Sequence, residues 1–223
     1  MNVAIIVAAG SGTRFGSPIP KQFLEIFGKP LLIHTLERFE ICAAIDEIVL
    51  VISAEEIGNF QTTAGKFNLK KLVNVIAGGK TRAESVFNGF EAVDSSRAKI
   101  VAVHDGARPL VSSEEIAMTI EKARETGAAC LVASVTDTIK EISDGKITGT
   151  IDRAKLRRAL TPQAFRYEIL KRAFAENEIN ETVTDECSLV EKLGYEISIV
   201  EGSAKNIKVT TKEDFVLAES FLK

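Results

Sequence analysis

The run Val3-Ala4-Ile5-Ile6-Val7-Ala8-Ala9-Gly10-Ser11-Gly12-Thr13-Arg14-Phe15-Gly16-Ser17-Pro18-Ile19-Pro20-Lys21-Gln22-Phe23 decides how the rest of this chain is read. Its first part, Val3 to Val7, is an unbroken apolar run of strand length and reads as a buried strand. Two closely spaced glycines, Gly10 and Gly12, then let the backbone bend tightly and turn its N–H groups toward an anion. Arg14 and Lys21 follow within reach. A buried strand, a glycine-rich loop and two cations are the parts needed to grip a polyphosphate.

Two familiar glycine-rich loops do not fit this run. A dinucleotide fingerprint needs a third glycine where this chain has Phe15, and it must open a helix, which Pro18 and Pro20 prevent. A Walker-type loop needs glycine followed by Lys and then Ser or Thr, and this loop has no such run. A loop that is glycine-rich only in order to turn is the plain alternative, and it leaves Arg14 and Lys21 without a purpose.

Further along, apolar runs rich in Val and Ile recur at Ile48–Ile52, Leu72–Ile76, Ile100–Val103 and Cys130–Val135. Between them Leu31–Phe39, Ala83–Val93 and Glu114–Thr126 carry helical spacing. Alternation of strand and helix predicts an α/β fold: a Rossmann-like three-layer sandwich with a mainly parallel central sheet. Ligands of such sheets bind beyond the carboxyl ends of the strands, so the opening loop and His104-Asp105 belong on one edge. One segment breaks the rhythm. Asp137–Ile142 and Ile147–Ile151 alternate polar and apolar around a turn at Ser143–Lys146, which predicts a β-hairpin arm at about 137–152. A two-stranded ribbon is marginal alone, so the arm is expected to pack against something, a second subunit included.

With 223 residues, 45% of them hydrophobic and 26% charged, the chain suits one domain over 1–223 with a substantial core. A net charge of −3 gives no support to nucleic-acid binding, and an anionic substrate must be met by local Arg and Lys. Cys42, Cys130 and Cys187 lack zinc-ligand spacing, and an odd count leaves no complete disulfide framework, so they read as buried thiols in a reducing compartment. The first strand begins at once, leaving no room for a signal peptide, and no apolar run reaches membrane-spanning length. A cytoplasmic protein without a membrane partner is expected.

Five later runs sharpen the picture: Gly78-Gly79-Lys80-Thr81-Arg82-Ala83-Glu84-Ser85-Val86, His104-Asp105-Gly106-Ala107-Arg108-Pro109, Leu160-Thr161-Pro162-Gln163, Thr184-Asp185-Glu186 and Asn206-Ile207-Lys208-Val209-Thr210. With the A-A-G-x-G-x-R…P-K-Q pattern of the opening loop, they resemble the sugar-phosphate nucleotidyltransferases. Within these the chain is similar to the 2-C-methyl-D-erythritol 4-phosphate cytidylyltransferase family of non-mevalonate isoprenoid synthesis. The motifs stand in that family's order over nearly the whole chain. The resemblance implies transfer of CMP from CTP to the polyol phosphate with release of pyrophosphate, and a homodimer whose arms are exchanged. Transfer to ribitol 5-phosphate is the alternative, since that related family shares most of the motifs, although the Arg82–Val86 run looks more like the methylerythritol enzymes. A non-catalytic nucleotide-binding regulator is a third reading, and the presence of Arg14, Lys21 and Lys208 together argues against it. A glycosyltransferase would bring an Asp-x-Asp metal site, which the chain lacks.

Such a transfer needs charge cancelled on the triphosphate and on the crowded α-phosphate, not a general base. Arg14, Lys21 and Lys208 are the expected catalytic cations, and the backbone around Ser11 and Gly12 the expected cradle for the β- and γ-phosphates. Mg²⁺ is expected as cofactor on the phosphate oxygens; no protein ligand is assigned, with Asp105 held in reserve. By resemblance, Ala8, Ala9, Gly10, Gly79, Arg82 and Ser85 recognise cytidine, Asp105 and Thr184 contact the polyol, and Arg108 lies beside them. Thr138, Arg153 and Thr161 reach the sugar phosphate of the neighbouring subunit. Two positions depart from the family pattern: Lys80 where Asp is common, and Gly106 where Ala is frequent. Duller roles stand beside several of these: a solvated charge for Arg108 or Lys208, a helix cap for Thr184, a structural hydrogen bond for His104.

Overall fold

The computed structural model describes residues 1–10, 15–16 and 19–223. Ser11, Gly12 and Arg14 lie outside the described residues.

In chain order the elements are β1 (Asn2–Val7), β2 (Glu25–Ile26), β3 (Lys29–Pro30), α1 (Leu31–Glu40), β4 (Glu47–Ile52), α2 (Ile57–Ala64), β5 (Leu72–Ala77), α3 (Arg82–Glu91), β6 (Ile100–Asp105), α4 (Ser113–Thr126) and β7 (Ala128–Ser134). Then come β8 (Ile139–Ser143), β9 (Lys146–Ile151), β10 (Arg157–Arg166), α5 (Tyr167–Glu176), α6 (Glu186–Lys192), β11 (Ser198–Glu201) and α7 (Lys212–Leu222). Every strand and helix expected from the apolar runs is present, with ends moved by a residue or two. Seven strands form one sheet in the order β11-β7-β10-β6-β1-β4-β5.

Neighbours in that sheet run parallel except β10, which lies antiparallel between β6 and β7. The strand was not among those expected, and its composition explains why. Arg157, Arg158 and Pro162 interrupt any apolar run, and proline lacks the N–H that a central strand donates. The register against β7 shifts between Ala159 and Gln163, so Pro162 sits within an irregularity of the ladder.

Side chains alternate between two cores because successive residues of a strand face opposite ways. Ala4 and Ile6 of β1 join Leu32, Leu36 and Phe39 of α1 and Ile116 and Ile120 of α4 on one face. Val3 and Ile5 join Val86 and Phe90 of α3 and Leu170 and Phe174 of α5 on the other. Each large apolar side chain so enclosed contributes about 1.5–3 kcal/mol. This is the three-layer α/β sandwich the alternation predicts. A third cluster, built from Phe15, Ile26, Leu31, Ala107, Val209 and Ala218, fastens α7 and the β2–β3 ribbon beside the end of β6. That cluster brings the far end of the chain to the edge where the opening loop lies.

The arm is present as β8 paired antiparallel with β9. Asp144 and Gly145 make its turn with φ of +51° and +73°, the two positive values a tight primed turn requires. Ile142 and Ile147 on the arm are 70% and 66% exposed.

Candidate active site

Three loops leave the carboxyl edge of the sheet side by side. Each continues its neighbour's ladder: Ala8 N–H donates to Val51 O, Gly78 N–H to Ile52 O and Gly106 N–H to Val7 O, at 2.7–2.8 Å. The loops touch so closely that two glycines are obligatory. A Cβ on Gly78 would lie 2.3 Å from Ala9 Cβ, and one on Gly106 would lie 2.8 Å from Ala8 Cβ and 3.0 Å from Leu32 Cδ1. Gly106, a departure from the family pattern, is thus matched to the packing of this chain's own opening loop.

Beside these loops is a cavity of about 460 Å³, reached by Ala8–Gly10, Lys21, Gly79, Arg82, Ser85, Asp105 and Lys208. Lys80 lines it too, from the turn that opens α3. Gly79-Lys80-Thr81 does read glycine, Lys, Thr before a helix, but the position where a Walker loop starts is Asn74, inside β5, so there is no such loop here. Thr81 instead caps α3, accepting from Glu84 N–H at 3.0 Å, while Lys80 N–H donates to Glu84 Oε2 at 2.7 Å. Ser85 Oγ accepts from Gly79 N–H at 3.1 Å and donates to Thr81 O at 2.8 Å, which fixes the turn.

Lys21 stands on a single 3-10 turn, Lys21–Phe23. Its Nζ donates to Val209 O at 2.6 Å, tying the opening loop to the C-terminal segment. Gln22 next to it is buried and donates to Ala8 O at 2.9 Å and Gly10 O at 3.2 Å. Gln22 is therefore the staple that holds the Lys21 turn against Ala8 and Gly10, a role its place in the P-K-Q run does not reveal.

Asp105, at the end of β6, gathers the cations. Oδ1 accepts from Arg82 Nε at 3.1 Å, and Oδ2 lies 3.3 Å from Arg108 Nε and 3.0 Å from Lys208 Nζ. Burial raises its carboxyl, but the pull of Arg82, Lys208 and Arg108 overrides this and holds it well below the usual carboxylate range. Arg82 is also bidentate on Glu186, at 2.8 and 3.1 Å. Arg108 Nη1 donates to Asn206 O at 2.8 Å, so neither Arg108 nor Lys208 is a loosely solvated surface charge.

A directed chain of hydrogen bonds supports Asp105 from below. A carbonyl only accepts, so His104 Nε2 carries the proton it donates to Arg108 O at 3.2 Å. Nδ1 then accepts from the Thr161 hydroxyl at 2.9 Å, and Thr161 Oγ1 accepts from Asp105 N–H at 3.1 Å. Burial lowers the His104 imidazole to about 3, so it stays neutral and acts as the structural residue. Thr161, expected at a phosphate, is buried with its hydroxyl committed beneath Asp105.

The cavity therefore unites most of the residues expected on the nucleotide side with Asp105, Lys21 and Lys208. Thr138 and Arg153 are exposed at the arm, where Arg153 Nη1 donates to Thr136 O, and neither lines the cavity. Thr184 is exposed, and the cap of α6 is Asp185, which accepts from Ser188 N–H at 3.0 Å. Asn206, whose Nδ2 donates to Thr161 O at 3.0 Å, and Glu186 were named in motifs without a role; their partners lie too far along the chain for spacing to reveal.

The family model described as "IspD: 2-C-methyl-D-erythritol 4-phosphate cytidylyltransferase" matches residues 2–223. The chain is similar to the 2-C-methyl-D-erythritol 4-phosphate cytidylyltransferase of Bacillus licheniformis, at 43% identity over 100% of this chain and 96% of the relative. It is similarly 43% identical to the one from Clostridium novyi, over 99% and 96%. Among solved structures, the 4-diphosphocytidyl-2C-methyl-D-erythritol synthase of Anaerococcus prevotii superposes with a TM-score of 0.86 at 30% identity, covering 99% of this chain and 95% of that one.

Proposed function

The chain belongs to the 2-C-methyl-D-erythritol 4-phosphate cytidylyltransferase family, and from that premise we propose how its cavity carries out the reaction. It transfers CMP from CTP to 2-C-methyl-D-erythritol 4-phosphate, giving 4-diphosphocytidyl-2-C-methyl-D-erythritol and pyrophosphate. The observation that carries this reading is the meeting of Lys21, Arg82 and Lys208 around one cavity beside the Ala8–Gly10 backbone.

In this reaction a phosphate oxygen of the polyol phosphate attacks the α-phosphorus of CTP. The bond from that phosphorus to the bridging oxygen breaks, and its electron pair leaves with pyrophosphate. The attacking oxygen is already anionic, which suits a site whose one buried histidine stays neutral. Lys21 and Lys208 meet the charge that builds on the α-phosphate and the leaving group, with Arg14 of the same loop as a third cation. Ala8, Ala9, Gly10, Gly79 and Ser85 bring short side chains and main-chain donors and acceptors to the cavity, a lining that suits recognition of a base through the backbone.

CTP enters as its Mg²⁺ complex, with the ion on the phosphate oxygens. Asp105 does not fit as a ligand, since both of its oxygens already accept from cations. Among the described residues no group of three or more His, Cys, Asp or Glu could hold a metal.

Pyrophosphate release measures the reaction directly. Release is expected with CTP, Mg²⁺ and 2-C-methyl-D-erythritol 4-phosphate, and only background with ATP, GTP or UTP, or with ribitol 5-phosphate as acceptor. Equal or faster release with ribitol 5-phosphate would move the substrate assignment and keep the mechanism. Binding of CTP with no release from any pair would replace the enzyme with a regulator.

The working state is a cytoplasmic homodimer. The arm exposes Ile142, Ile147 and Ile151, and a lone ribbon with apolar side chains in water gains from a partner. Docked on a second copy, it would carry Thr138 and Arg153 toward that copy's polyol phosphate, where a guanidinium bonds two oxygens at once. The buried thiols Cys42, Cys130 and Cys187 suit a reducing cytoplasm. Sedimentation is expected to show a dimer for the full chain and a monomer for a chain lacking 138–150. A monomeric full chain would remove the proposal.

A further inference from the structure

Glu186 is fully buried, yet it is charged chemistry placed next to the cavity and not in it. Its two oxygens take Nη1 and Nη2 of Arg82 side by side, at 2.8 and 3.1 Å, while Arg82 Nε goes to Asp105 at 3.1 Å. A guanidinium has five N–H donors; three are used here, which leaves two. Arg82 lines the cavity with its side chain 24% exposed, so those two are the ones available to a ligand.

The place of Glu186 is itself fixed from both sides by one residue. Gln163 of β10 donates through Nε2 to Asp185 Oδ2 at 2.8 Å and accepts at Oε1 from Cys187 N–H at 3.1 Å. The residues before and after Glu186 are thereby clamped to the sheet by a buried amide. A carboxylate fixed in backbone and in both oxygens can hold a planar fork in one orientation.

We propose that Glu186 is a positioning residue for the nucleotide: it sets the plane of the Arg82 guanidinium so that its remaining N–H groups face CTP. This rests on the reading of the cavity as the CTP site. Glu186 never touches substrate and acts only through Arg82. A merely structural ion pair would anchor α6 and leave nucleotide affinity alone, which makes the two roles separable.

The test uses the full chain and the variants E186Q, R82Q and R82Q/E186Q, with melting temperature, Mg²⁺–CTP affinity by calorimetry and steady-state kinetics. E186Q keeps the shape but sets an amide N–H₂ against a guanidinium nitrogen, so the orientation is lost. We expect KM and Kd for CTP to rise about tenfold, with kcat and the KM for the polyol phosphate within about threefold. In the R82Q background, adding E186Q is expected to change CTP affinity no further, because the residue it acts through is gone. The double variant should also melt above R82Q alone, which leaves a buried carboxylate unpaired. Unchanged CTP affinity in a folded E186Q, or independent effects that add in the double variant, would overturn the proposal while leaving the CTP site intact. An unmodified chain that binds no CTP would take down the reading of the cavity and this inference with it.

Discussion

Replacing Lys21 by alanine is expected to lower kcat by about a hundred- to a thousand-fold while the protein still folds. The size follows from what one preorganised charge contributes where charge develops in a transition state, which is about 2.7–4 kcal/mol. Lys21 is well placed to make that contribution. Its turn is stapled to Ala8 and Gly10 by the buried Gln22, and its ammonium is steadied by Val209 O at 2.6 Å. The charge thus reaches the reaction already oriented. The cost to the fold is expected to be small by comparison, since the side chain is only half-buried. Pyrophosphate release measures the rate, and circular dichroism with a thermal melt checks the fold. Lys21→Arg is expected to recover part of the rate, because it keeps the charge but spreads it over a planar fork. A kcat within twofold of the unmodified protein in a folded Lys21→Ala would remove Lys21 from the chemistry.

Asp105→Asn should strike stability and activity together. The carboxylate gathers Arg82, Arg108 and Lys208 within 3.0–3.3 Å, and its side chain is only 8% exposed. Asparagine keeps the shape but leaves these cations facing one neutral carbonyl and an N–H₂ group. Removing one partner of a buried ionic cluster costs about 3 kcal/mol. The rate should fall by about a hundred-fold or more, because Lys208 loses the carboxylate that anchors it at 3.0 Å. The dependence on pH identifies the cause. With its folded pKa held below the unfolded value of about 3.9, Asp105 contributes stability that is fully present above that pH and is lost as pH falls further. The gap in urea-unfolding free energy between the two proteins should therefore be widest at pH 5–7 and narrow toward pH 3. Burial raises the Glu186 carboxyl, which slopes the other way, but Glu186 is present in both proteins and its effect largely cancels in the difference. A gap that stays constant down to pH 3 would show that the ion cluster is not its source.

Much of the layout is legible in the sequence. Val3–Val7 and the four later apolar runs announced the parallel core, and each became a strand. The arm was visible because Asp144-Gly145 between two alternating segments is a turn signal complete within a few residues. Lys21, Asp105 and Lys208 were singled out and do meet at one cavity. β10 stayed hidden because its arginines and Pro162 obscure the pattern that identifies a buried strand, and it exists only because β6 and β7 flank it. Thr161 was placed at a phosphate because a motif records residue type and not direction; its hydroxyl turns inward to His104 and Asp105.

Local composition is enough for the strands with unbroken apolar runs, the tight turn of the arm and the edge where a polyphosphate would be held, because those features depend on residues within a few positions of one another. The electrostatics of the site were not available at that range. Arg82 meets Asp105 across 23 residues and Glu186 across 104, and Arg108 meets Asn206 across 98. Whether such a cation is a solvated charge or an oriented donor depends on burial and on separations of about 3 Å, and only the folded chain sets those.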